Sequence, residues 1–282
     1  MPAGSETNTA GRAQSVARRF GLPALVLVPV LLTAPGRVLH SQLAVGRVEV
    51  VMQVGDRANR EAAISVRNES DKPVQAVVRL EDWDRAEDGS NRWFPYGTHR
   101  GAGSCAPALT IFPQSLRLDP GAEQAIRVVL DSAKAPRGEC WSAAVVETVQ
   151  PVERMGHRVA YVIRTAVKVY VQSAMLVADG EIERVRVVED STKNKSGKES
   201  IEVRFANTGT SHVVARGVLE VRRPDNTTVH KIPLPTVYAL PGARHAVSVS
   251  MPALPKGDYV LLATMDYGGG DIAAALLEHR RK

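Results

Sequence analysis

The sequence predicts an all-β protein built as two β-sandwiches joined near 172–178, and three observations predict it. Short apolar runs are separated by turn residues about every 8–12 residues, the spacing of sandwich strands. Valine is abundant while aromatic residues make up only 5% of the chain, a balance that favours strands over helices. A helical period is convincing only near the N-terminus, in a segment with the marks of an export signal. The 282 residues, 44% hydrophobic and 23% charged, suffice for two ordinary domains with packed cores.

Arg18 and Arg19 precede the apolar run Phe20 to Ala34, FGLPALVLVPVLLTA. It falls short of the roughly 20 apolar residues of a membrane span, and Pro23 and Pro29 interrupt it. Residues 1–41 therefore read as a signal peptide, with cleavage expected between Gly36 and Ala44. The mature chain is expected to be exported, with no stable membrane insertion once the signal is removed. Of the formal charge of +6, Arg12, Arg18, Arg19 and Arg37 against Glu6 place +3 in residues 1–41 and leave +3 for the rest. That charge is too mild for a nucleic-acid partner, and no basic run is interleaved with aromatics.

In the first domain, 42–172, strand patterns run over Val45 to Val54, Ala62 to Arg67 and Val74 to Trp83. Gly55-Asp56 and the cluster Asn68 to Pro73 divide them as turns. Residues 84–104, rich in Gly, Arg, Asp and Asn, are expected to form a long exposed loop. Leu109 to Phe112, Gln124 to Leu130 and Trp141 to Val149 follow, with a turn at Asp119-Pro120-Gly121, and then the alternating run Val159 to Val171. In the second domain, 173–282, the strands are Ile182 to Val188, Ser200 to Ala206, Val213 to Arg222, His245 to Met251, Tyr259 to Met265 and Ile272 to Leu277. Asn207-Thr208-Gly209, Pro224-Asp225-Asn226, Pro241-Gly242 and Lys256-Gly257 are their turns, and the polar stretch 191–199 is a hairpin tip.

Cys105 and Cys140 are the only cysteines. In an oxidising compartment a single disulfide is the simplest reading. Closing a loop of about 35 residues, it would contribute roughly 3–4 kcal/mol. A metal pair or a redox site are the alternatives, and neither has a C-x-x-C spacing or adjacent histidines. Trp83, Trp93 and Trp141 are expected to pack, Trp141 against the disulfide. The seven histidines are scattered without ligand spacing. No G-x-S-x-G elbow, P-loop or strand-borne G-x-G-x-x-G is present, so no enzyme, cofactor or metal is expected. Asp82 and Asp84, flanking Trp83, read as a solvated strand face.

The run Val159 to Val171, VAYVIRTAVKVYV, places Val159, Tyr161 and Ile163 on one face at a period of two. Such a strand is either covered core or an edge offering unpaired N–H and C=O groups to a partner. Together with ISVRN at 64–68, Phe112-Pro113, Leu118-Asp119-Pro120-Gly121, Ile126-Arg127-Val128, Gly138-Glu139-Cys140-Trp141 and Asp266-Tyr267-Gly268-Gly269, it gives an order of features over residues 44–282 that resembles the periplasmic pilus-chaperone family, PapD-like, as a distant branch. The resemblance implies two immunoglobulin-like sandwiches set at an angle like a boomerang, and a periplasmic location. It also implies capture of pilin-like subunits by β-strand addition and delivery to an outer-membrane assembly platform. It assigns the alternating donor residues to Val159, Tyr161 and Ile163, and a carboxylate-binding lysine to Lys168.

The sequence departs from that pattern at the partner arginine, whose place falls near Val50. Arg47, three residues earlier, is the available substitute if a bulge or a different register brings it in. Lys168 also reads as a solvated strand lysine, and Val159, Tyr161 and Ile163 as core. The alternative function is a secreted structural or adhesive protein that binds carbohydrate or matrix through loop 84–104, where Trp93-Phe94-Pro95-Tyr96 lies.

Overall fold

A computed structural model describes residues 42–55, 60–99, 103–154, 157–173, 175–189 and 199–282. The expected signal, 1–41, and nearly all of the expected tip 191–199 lie outside them. The first strands are β1 (Leu43–Val45), β2 (Glu49–Gln53), β3 (Glu61–Asn68), β4 (Val74–Arg85), β5 (Asn91–Pro95), β6 (Leu109–Phe112), β7 (Ser115–Leu118), β8 (Glu123–Leu130), β9 (Glu139–Arg154) and β10 (His157–Gln172). They are followed by β11 (Gly180–Glu189), β12 (Glu199–Asn207), β13 (Val213–Arg222), β14 (Thr228–Pro233), β15 (Val237–Ala239), β16 (Arg244–Ser250), β17 (Gly257–Asp266) and β18 (Ile272–Arg281).

Strands β1-β3-β8-β6 form one sheet and β2-β10-β9-β4-β5 the facing one, with β7 paired to β4. β-branched residues at alternate positions give each strand one apolar face. Ile64, Val66, Ile126 and Val128 meet Val78, Val146, Val167 and Val169 between the sheets, all at 2% exposure or less. The Cys105–Cys140 disulfide lies in this core. The second pair of sheets, β11-β12-β16 and β14-β13-β17-β18 with β15 on β13, closes around Ile201, Val203, Phe205, Leu219, Leu261 and Met265.

One backbone device recurs in the two sandwiches. Buried Asn68 donates from Nδ2 to the carbonyls of Lys72 and Leu118, while its Oδ1 accepts the Ser70 N–H. Buried Asn207 donates to the carbonyls of Ser211 and Ala239 and accepts the Gly209 N–H. The Asn68 N–H donates to the Ala122 carbonyl and its carbonyl accepts the Gly121 N–H; Asn207 does the same with Ala243 and Gly242. Pro120-Gly121-Ala122 and Pro241-Gly242-Ala243 are thus an internal repeat. Each glycine sits at φ 74°, a left-handed conformation that a side chain would strain.

Three expectations are corrected. The loop 84–104 is in large part a hairpin: β4 runs on to Arg85 and β5 returns along it, Trp83 opposite Trp93 and Asp84 opposite Arg92. Arg92 donates twice to the Asp84 carboxylate at 2.7 Å. The charges that read as loop are cross-strand partners. The hairpin tip also docks on the second sandwich, the Glu87 carbonyl accepting the Ala246 N–H at 3.1 Å and its side chain pairing with Arg204 at 3.1 Å.

Asp82 is buried rather than solvated. It accepts the backbone N–H groups of Gly97 and His99, at 2.9 and 3.2 Å, and the Ser104 hydroxyl at 2.9 Å. Trp141 points away from the disulfide, because it follows Cys140 on β9 and successive side chains leave opposite faces. Cys140 enters the core, while Trp141 packs on the other face with Trp83, Ala143, Val145, Tyr170 and Leu240.

Candidate partner-binding edge and cleft

β9 pairs with β10 along its whole length, from His157 opposite Arg154 to Gln172 opposite Glu139. On the other side β2 lies parallel and covers only Lys168 to Gln172. Among the described residues nothing pairs with 157–167 on that side. The Lys168 N–H donates to the Val48 carbonyl at 3.0 Å, which fixes the direction of its neighbours. Backbone groups of alternate residues point to opposite edges of a strand. The N–H and C=O groups of Ala160, Val162, Arg164 and Ala166 therefore point to the open edge.

The side chains alternate between the two faces of the sheet. Val167, Val169 and Val171 fill the sandwich core, whereas Val159, Tyr161 and Ile163 continue the same face outside the core cluster. Val159 is 39% exposed, and Tyr161 and Ile163 are half-buried.

Lys168 faces the other way. Its Nζ lies 4.6 Å from the centroid of the Trp83 ring. Burial, and then the nearby Arg85 charge, holds its pKa below the ordinary lysine value, with Glu49 opposing. Arg85, at the end of β4, lies over the Trp83 ring at 5.9 Å and the Tyr238 ring at 5.5 Å. Its Nη1 donates to the Gly89 carbonyl at 3.2 Å, and its buried Nε has no partner among the described residues. Among the described residues neither cation has an ion-pair partner. Both line a pocket of about 130 Å³ with Glu49, Tyr170, His212 and Tyr238. Two half-buried cations on aromatic walls, with Glu49 as the one carboxylate lining the pocket and no ion pair to either among the described residues, leave a net positive charge suited to an anion.

The far wall of the pocket is held by a buried carboxylate. Glu139, with no side-chain exposure, accepts from Gln172 Nε2 at 2.9 Å and from the His212 backbone N–H. His212 Nδ1 lies 2.7 Å from the same carboxylate, and the imidazole stacks on Tyr170 at 4.2 Å. This ties the start of β13 to the end of β10.

Val50, where the family arginine was expected, is a core residue at 4% exposure. Arg47 is exposed ahead of β2 and does not line the pocket. The second cation is Arg85, which the sequence reading placed in a loop. Its signal is the Trp83-x-Arg85 spacing, since residues two apart on a strand share a face.

No protein-family model and no curated protein matches the sequence. Among solved structures the chain is similar to fimbrial chaperones. It is 12% identical to the class 5 fimbriae chaperone CfaA, with a TM-score of 0.47 over 85% of this chain and 100% of that one. The E. coli chaperone DraB is 15% identical, with a TM-score of 0.42 over 85% of this chain and 98% of that one. A chain of the complex between the Salmonella enterica SafA pilin and the SafB chaperone is 18% identical, with a TM-score of 0.44 over 85% and 98%.

Proposed function

We propose that the protein is a periplasmic chaperone for pilus or fimbria subunits, which it holds by β-strand addition before they assemble. The observation that carries this reading is the open edge of β10 ending at an unpaired cation pair. A strand laid along 157–167 continues the row that β2 begins. Because β2 blocks that row at Lys168, the added strand stops there. A chain terminus suits such a stop, and Lys168 with Arg85 selects the carboxylate end. With its C-terminus at Lys168, the added strand runs parallel to β10, as β2 does.

Val159, Tyr161 and Ile163 then enter the core of a subunit sandwich that lacks a strand. Arg85 takes the role that the sequence offered to Arg47. The recipient of the subunit is an outer-membrane assembly platform, and subunit folding on release supplies the energy. Carbohydrate or matrix binding through 84–104 has less support, because most of that segment is a hairpin bonded to Arg204 and Ala246.

Purification of the tagged mature chain from its native envelope, beside Lys168→Glu and Ile163→Asp variants, tests the reading. One small subunit-like protein, bound near one-to-one by the wild type and lost from both folded variants, is expected. A partner indifferent to both substitutions would overturn it.

A further inference from the structure

The outer face of the β9–β10 arm carries an apolar patch that carboxylate anchoring and core donation leave unused. Val162 lies opposite Val149, and the two are 57% and 60% exposed. Exposed Ala160, opposite exposed Pro151, extends the patch toward the end of the arm. Val77 of β4 is 52% exposed and shares a groove of about 760 Å³ with Val149 and Pro151. Toward the cleft the patch ends at Arg79 and Arg164 paired with Glu81 and Glu147, two charges of each sign. From Val159 to Ile163 β10 is therefore apolar on both faces, while the half near Lys168 is polar on one.

Resting on the capture reading above, we infer that the captured strand is apolar on both faces over the half remote from its carboxylate, and alternates only in the half near it. Val162 stands between Tyr161 and Ile163 on the same strand, so whatever pairs with this edge also flanks the patch. One row of the partner's side chains lies beside Tyr161 and Ile163. The other lies beside Ala160 and Val162, continuing the surface of Val149. A strand covered on both faces reads as a continuous apolar run. Beside Arg164 the balanced network asks for no added charge. The fitting partner segment has consecutive apolar residues, then a polar–apolar alternation, then a free C-terminus.

Two synthetic peptides with free C-termini test this. They differ only at the outer-row positions, counted back from the carboxylate at Lys168, that fall beside Ala160 and Val162: valine in one and serine in the other. The valine peptide is expected to bind about tenfold more tightly, from the apolar area it covers. Val162→Ser, whose side chain adjoins that row from the neighbouring strand, should remove most of that difference. Equal binding of the two peptides, still lost in Ile163→Asp, would overturn the inference and leave the capture reading standing. Absence of binding by either peptide, or binding that survives Ile163→Asp, would overturn both. A dimer in sedimentation that Val149→Ser dissociates would assign the patch to a second copy, and the inference would fail.

Discussion

At Lys168 the chain keeps a half-buried ammonium with no ion pair among the described residues, a state that burial and Arg85 disfavour and Glu49 only partly offsets. Its folded pKa lies below the unfolded value, so between the two the unfolded chain binds more protons and stability rises with pH. Below that window the charged lysine costs stability. Lys168→Met is expected to raise the melting temperature at neutral pH, by about 2–4 °C for each kcal/mol relieved, while capture of a carboxylate is lost. A bound carboxylate favours the protonated lysine, so capture should weaken as pH rises through the same window; calorimetric titration across alkaline pH checks both signs. Asp82 shows the opposite economy of a buried charge. Asp82→Ala strands the N–H groups of Gly97 and His99 and is expected to cost roughly 2–4 kcal/mol in urea unfolding.

Along β10 the same alternation has two consequences, depending on position. Val167→Asp buries a carboxylate in the core and should unfold the first sandwich, whereas Ile163→Asp should leave its circular dichroism and melting intact and abolish capture. Most strands were legible because their valines alternate: Leu109–Phe112 and Val213–Arg222 stand where the sequence placed them. β7 was missed because its four residues, Ser115–Leu118, hold too little pattern. β14 was missed because its Thr228, His230 and Lys231 are those of an exposed edge. Lys168 was legible as a candidate through its place in an alternating strand. Arg85 was not, since its partners Trp83 and Tyr238 come together only when β4 folds against the second sandwich. Asp82 was misread for the same reason: the backbone groups it satisfies lie beyond β5.

At the scale of the molecule, two separate cores are closed by the same Asn and Pro-Gly-Ala device, and only the first contains the disulfide. Replacing Cys105 and Cys140 with serine should cost about 3–4 kcal/mol in the first core alone. Calorimetry should then split one melting transition into two, the lower belonging to residues 42–172. Glu139, joining β9 to His212, holds the pocket wall on which the proposed anion site depends. The open edge of β10 and that site meet at Lys168, where β2 begins. The most direct test of their joint use is amide exchange along β10, followed residue by residue with and without a captured subunit. In the free protein the N–H groups of Ala160, Val162, Arg164 and Ala166 should exchange fast, and those of Tyr161, Ile163 and Thr165, turned toward β9, slowly. On capture the first set should become as protected as the second. Protection that leaves those amides fast, or falls instead on the β4–β5 hairpin, would contradict strand addition at this edge.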